Sequence, residues 1–147
     1  MNFTKVIPGS YAKAFHSGQK LILTDKWVSN TFWCIARGKI DPVELEKMKK
    51  RALMVETEMK EETIEPLMAL PYDAKKEELH DAIDCTQSRP YVRVTGDSFQ
   101  AFDAYYMAFM LKVFEGYKLF FSKSKQCAYF FKNEKVEGVL TGVVKEN

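Results

Sequence analysis

Histidine and cysteine are scarce in this chain, and that scarcity excludes most common catalytic and metal-binding arrangements. Two histidines occur in 147 residues, His16 and His80, far apart and neither in an H-E-x-x-H setting. The cysteines are Cys34, Cys85 and Cys127, an odd number with no C-x-x-C pair, so the spacing fits neither a disulfide framework nor a zinc finger. Glycine-rich phosphate loops of the G-x-G-x-x-G or G-x-x-x-x-G-K-[ST] type are missing; "HSGQK" at 16–20 reads as a turn before a strand. Long apolar runs are missing too. The aromatic-rich stretch 99–121 is broken by Asp103, Lys112, Glu115, Gly116 and Lys118, which rules it out as a membrane span. The opening "MNFTKVIPGSYAKAF" holds no apolar core of signal-peptide length. Charge of one sign is also lacking: 22 basic against 20 acidic residues leave a formal net charge of +2, too small to imply nucleic acid by itself. The expectation is a cytoplasmic protein without catalytic residues, metal, cofactor or membrane partner.

Apolar side chains are abundant. They make up 46% of the chain, with eleven Phe, seven Tyr and two Trp, enough for a core within a single domain over 1–147. "KLILTD" followed by "KWVSNTFWCIAR" reads as a strand pair over 20–37, turning at Asp25-Lys26. Asp41 suits an N-cap, Pro42 the first helical position and Glu44 the third. Leu45, Met48, Ala52, Val55 and Met59 then recur at helical spacing, predicting an amphipathic helix of about five turns. Residues 61–90 are rich in loops, with a short helix expected at 72–84 capped by Asp73. "YVRVT" at 91–95 predicts a strand, Gly96-Asp97 a turn, and Asp97 with Gln100 a capping box that opens an aromatic helix running to about Phe114. "YKLFFS", "QCAYFF" and "VEGVLTGVV" predict a closing three-strand meander, joined by the hairpin-length connections "KSK" and "KNEK". The order gives an α+β fold: an antiparallel sheet with two main helices packed on one face.

Chemistry-bearing clusters are few. His80, Asp81, Asp84 and Cys85 make a small polar group, yet on a helix 80 and 84 share a face while 81 points away. Glu56, Glu58, Glu61, Glu62 and Glu65 form an acidic run whose alternation with lysine fits a solvated face. Lys47, Lys50 and Arg51, with Lys49 nearby, gather positive charge on one side of the first helix. They are the candidate DNA contacts, with Glu44 and Glu46 as the balancing charges of an ordinary solvated face. On the aromatic helix, Phe99, Phe102, Tyr106, Phe109 and Val113 share one side, which leaves Tyr105 as a candidate partner contact. Val136 and Val139, on the expected edge strand 136–144, are the candidate subunit contacts.

Two stretches, "ILTDKWVSNTFWCIAR" at 22–37 and "YVRVTGDSFQAFDAYYMAFMLKVFEGYKLFFSKSKQCAYFFKNEKVEGVLTGVV" at 91–144, resemble a domain of the bacterial DNA sliding clamp, the β subunit of the replicative polymerase. The first is similar to that family's Thr-Asp hairpin, with Lys26-Trp27 standing where the family has Gly-His. The second is similar to one half of a clamp domain, though it lacks that half's Met-Pro-Arg ending. The resemblance implies a clamp-domain-like fold of the single-domain phage type. It also implies a non-enzymatic protein that acts through protein contacts near DNA in replication or recombination, with homo-oligomers formed at a sheet edge. The composition fits a second class equally well: a phage or mobile-element protein that blocks a host nuclease or defence complex, its acidic run 56–65 mimicking nucleic acid.

Overall fold

Short turns set the architecture. A computed structural model describes Phe15 and residues 17–79, 84–86, 89–94 and 101–142. Strand β1 (Lys20–Leu23) meets β2 (Trp27–Ser29) across a tight turn in which the Thr24 hydroxyl accepts the Trp27 amide at 2.9 Å. The expected second strand of this pair is in fact two strands. Asn30 breaks it: its side-chain oxygen accepts the amides of Phe32 (2.9 Å) and Trp33 (2.8 Å), and Thr31 turns to φ 79°. Strand β3 (Trp33–Ala36) then runs back along β2.

Helix α1 (Pro42–Arg51) starts as the sequence predicts, with the Asp41 carboxylate accepting the Val43 amide at 2.8 Å. It ends two turns early. Ala52 is extended (ψ 136°), and Met54–Glu56 form strand β4, which pairs parallel to β1. Val55 therefore continues a strand, not a helix face. A short helix α2 (Glu61–Ile64) and a 3₁₀ turn (Glu65–Met68) follow. The helix expected at 72–84 is replaced, over its described part, by strand β5 (Lys75–Lys76) and a bridge from Leu79 to Val94. Asp73 does not cap a helix there. Its carboxylate instead accepts the Ser122 hydroxyl (2.6 Å) and the Ser124 amide (2.8 Å), tying this segment to a turn 49 residues away.

Strands β6 (Asp84–Thr86), β7 (Arg89–Arg93) and β8 (Ala101–Asp103) form a small antiparallel sheet. The expected capping residues Asp97 and Gln100 lie outside the described residues. Helix α3 (Ala104–Val113) is capped by Asp103, whose carboxylate accepts the Tyr106 amide at 2.9 Å, so Phe102 belongs to a strand and not to the helix. The closing meander is as predicted: β9 (Lys118–Ser122), β10 (Cys127–Lys132) and β11 (Lys135–Thr141). Asn133 and Glu134 both have positive φ (52° and 66°), which matches the right-handed strand twist of a two-residue hairpin turn.

These strands build a mixed fold around one large sheet of eight strands in the order β4-β1-β2-β3-β11-β10-β9-β5, antiparallel except where β4 joins β1. Strand alternation divides its side chains. One face carries Leu21, Val28, Trp33, Ile35, Phe130 and Leu140, which share a core with Leu45 and Met48 of α1 and with most of α3. The other face carries Ile22, Trp27, Tyr129, Val136 and Val139 against Ile64 and Met68. Helix α3 touches both β7 and β8 of the small sheet and β11 of the large one. Apolar surface therefore runs round the helix rather than along one stripe, and Tyr106 to Met110 are all buried.

Candidate functional site

The predicted basic group survives as a helix face. Lys47, Lys50 and Arg51 sit at i, i+3 and i+4 on α1, and all three are exposed. They are not equally available. Lys47 bonds Glu44 at 3.4 Å, and the neighbouring Lys49 bonds Glu46 at 2.9 Å. Lys50 has no ion-pair partner among the described residues. Lys50 and Arg51, with Lys49, fill the last helical turn, where positive charge offsets the negative end of the helix dipole.

The predicted contact residues sit elsewhere than expected. Strand β11 is no edge: it lies in the interior of the sheet between β3 and β10. Val136 and Val139 are buried in the second core cluster, where Trp27 and Tyr129 also pack. Tyr105 is half-buried and packs against the main core, because both sides of α3 are covered.

Among the described residues the edges of the large sheet are β4 and β5, and they differ in character. Strand β5 presents Lys75 and Lys76, both exposed, and lysine on an edge discourages further strand pairing. Strand β4 presents the opposite chemistry. Leu53 is 80% exposed, Met54 51% and Val55 37%. Pairing with β1 fixes the backbone: the Leu53 amide bonds inward to the Gln19 carbonyl at 2.9 Å. Ile22 bonds Ser29 of β2, so Leu21 and Leu23 turn their backbone groups toward β4, where the parallel register has them meet Met54 and Glu56; Val55 is the β4 residue whose N–H and C=O point outward. Sequence reading missed this surface because Ala52, Val55 and Met59 continue the helical spacing of α1. The run Lys49-Lys50-Arg51, typical of a last turn, was the signal that the helix stops.

The acidic run is mostly engaged within the chain. Glu56 bonds Lys20 at 2.6 Å; Glu61 accepts the Lys26 amide at 2.8 Å; Glu65 lies 3.5 Å from the Lys26 ammonium. Glu58 and Glu62 stay exposed. His16, His80 and Asp81 lie outside the described residues. Among the described residues, no group of three or more His, Cys, Asp or Glu side chains is placed to hold a metal ion, and no helix is long and apolar enough to cross a membrane.

An open cleft of about 800 Å³ lies on the second face of the sheet. Trp27, Met68, Leu70 and Phe131 line it, with Asp25 and Glu134 among its charged residues. The indole N–H of Trp27 is buried without a hydrogen-bond partner among the described residues.

Several groups titrate away from their ordinary values, each for a structural reason. Burial pushes the Cys34 thiol up to about 12 and raises Cys127 as well, so both remain protonated at neutral pH and are poor nucleophiles. Burial also raises Tyr129. Tyr117 is raised first by burial, then by Glu137, whose carboxylate accepts its hydroxyl at 2.7 Å; Lys39 and Lys132 sit 5.2 and 5.4 Å from the centre of its ring. Asp73 is lowered, chiefly by the Ser122 hydroxyl it accepts.

Comparison of the chain with protein-family models, curated proteins and solved structures finds no match.

Proposed function

We propose that this chain is a non-enzymatic contact module that works by holding another macromolecule. The β4 edge carries the reading: three consecutive apolar side chains are exposed beside outward-facing backbone groups, the arrangement to which a further strand can be added. The titration of the displaced groups among the described residues supports it, since each is accounted for by burial or a structural bond.

The clamp-like setting, close to DNA in replication or recombination, rests on the sequence pattern of 22–37 and 91–144. DNA contact through Lys50 and Arg51, with Lys47 beside them, is the part of that setting open to direct test. Fluorescence anisotropy of a short labelled duplex at low salt measures it. The reading expects binding that weakens as salt rises and is lost in the triple variant K47E/K50E/R51E. No binding at low salt removes DNA from the proposal and leaves the protein contact. The nucleic-acid-mimic reading has less to stand on, because Glu56, Glu61 and Glu65 are committed to Lys20 and Lys26.

A further inference from the structure

The residues around β4 follow a charge order: Lys49, Lys50 and Arg51 precede the exposed Leu53-Met54-Val55, and Glu56 and Glu58 come after. Reversed end for end, that order is its own complement. We infer that the partner at the β4 edge is a second copy of this chain, paired antiparallel about a two-fold axis through Met54. The inference rests on the contact-module reading and names the partner of that same edge.

Backbone and charge together set the register. Val55 is the β4 residue whose backbone groups point outward. An axis through Val55 itself would set Lys50 beside the partner's Lys60, so the axis passes through a closely spaced, non-hydrogen-bonded pair in which Met54 faces its own copy. Leu53 then stands opposite the partner's Val55 as a flanking apolar pair. The Val55 amide faces the partner's Leu53 carbonyl. Just beyond the paired segment, the end of α1 brings Lys50 beside the partner's Glu58.

Both of those charges are exposed, and neither has an ion-pair partner among the described residues; Glu56, by contrast, is already held by Lys20 at 2.6 Å. A parallel pairing would set lysine beside lysine and glutamate beside glutamate. The antiparallel one sets opposite charges together at both ends, and such pairs fix register and partner choice more than affinity. An isologous contact of this kind closes at two copies. The lysines of β5 discourage the other edge from the same use.

Charge exchange tests this without relying on a single damaging change. The two-fold axis makes each substitution act twice. K50E places two glutamates at each end of the dimer, and E58K places two lysines there. At a concentration where the wild-type chain has twice the monomer mass by light scattering, each variant alone is expected at monomer mass. An equimolar mixture of the two is expected to return to the doubled mass, because only the mixed pair has opposite charges at both ends. Two folded but damaged chains would not rescue one another.

Amide exchange at Val55, followed on the same samples, separates the ways of failing. Monomers throughout with fast exchange overturn self-pairing but leave the edge open to a different chain. Monomers with slow exchange overturn both, since the edge is then covered from within the chain. Wild-type dimers whose mass neither substitution changes overturn the β4 pairing as the route to the dimer.

Discussion

The ring of Phe114 occupies the space directly over Gly138. A β-carbon built on Gly138 would lie 2.6 Å from Phe114 Cζ and 3.1 Å from Met110 Cε. The ring also stacks on Phe130 (5.2 Å between centroids) and meets Tyr117 edge-on (5.0 Å). The missing side chain in β11 is thus what lets the end of α3 settle on the large sheet.

Gly138→Ala is therefore expected to destabilise the fold by about 1–3 kcal/mol, the cost of overpacking a filled core. The sign is diagnostic. In an open strand position alanine would gain about 0.5–1 kcal/mol over glycine. Urea unfolding of the two proteins decides between these outcomes. Phe114→Ala, which empties the same space, should cost about 3–5 kcal/mol.

Asn30 is 1% exposed, and its side-chain oxygen serves two amides at once. Asn30→Ala leaves the Phe32 and Trp33 N–H groups without that acceptor, at about 1–3 kcal/mol for a buried unsatisfied group. Asn30→Asp keeps the acceptor and should lose less. Denaturant midpoints of the two variants rank them, and an equal loss would mean the turn does not depend on the side-chain oxygen.

Asp73 gives the fold an acid-sensitive tie. Its folded value is depressed below the ordinary 3.8, chiefly by the Ser122 hydroxyl. A depressed carboxylate contributes stability that is fully present above the unfolded value and lost as pH falls through the folded one. Unfolding midpoints should therefore drop below pH 3.8 more steeply in the wild type than in Asp73→Asn. Parallel pH profiles would show that the Ser122 and Ser124 bonds do not select the ionised form.

Cys34, with its thiol pushed up to about 12, should resist alkylation in the folded chain. At pH 8 only about one part in ten thousand is thiolate, so iodoacetamide should label it far more slowly than in the unfolded chain. Peptide mass spectrometry assigns the label to each cysteine. Labelling of Cys34 at the unfolded rate would contradict its place in the sheet.

The legible parts of the fold were those fixed by neighbours in sequence. The meander β9–β11 could be read because its turns are short and polar, and the start of α1 because Asp41-Pro42 is a local signal. The errors came from long-range partners. Asp73 looks like a helix cap, and only the position of Ser122 shows that it closes a distant turn. Ala52, Val55 and Met59 repeat at helical spacing, yet β1 draws the chain after Arg51 into a sheet. The candidate surface was hidden for the same reason. Whether a strand is an edge depends on the order of the whole sheet, and nothing within Val136–Thr141 reveals that β3 lies alongside. Val55 fits the helical spacing of Leu45, Met48 and Ala52, and only its pairing with β1 shows that the exposed Leu53-Met54-Val55 is a sheet edge.

The central claim is that the β4 edge is open in the single chain and closed by a second copy. Site-resolved amide exchange of Val55, measured on dilute and concentrated protein, tests it most directly. The account predicts fast exchange in the dilute sample and strong protection in the concentrated one, with the inward-bonded Leu53 amide protected in both. Exchange at Val55 that is unchanged across concentration would contradict it.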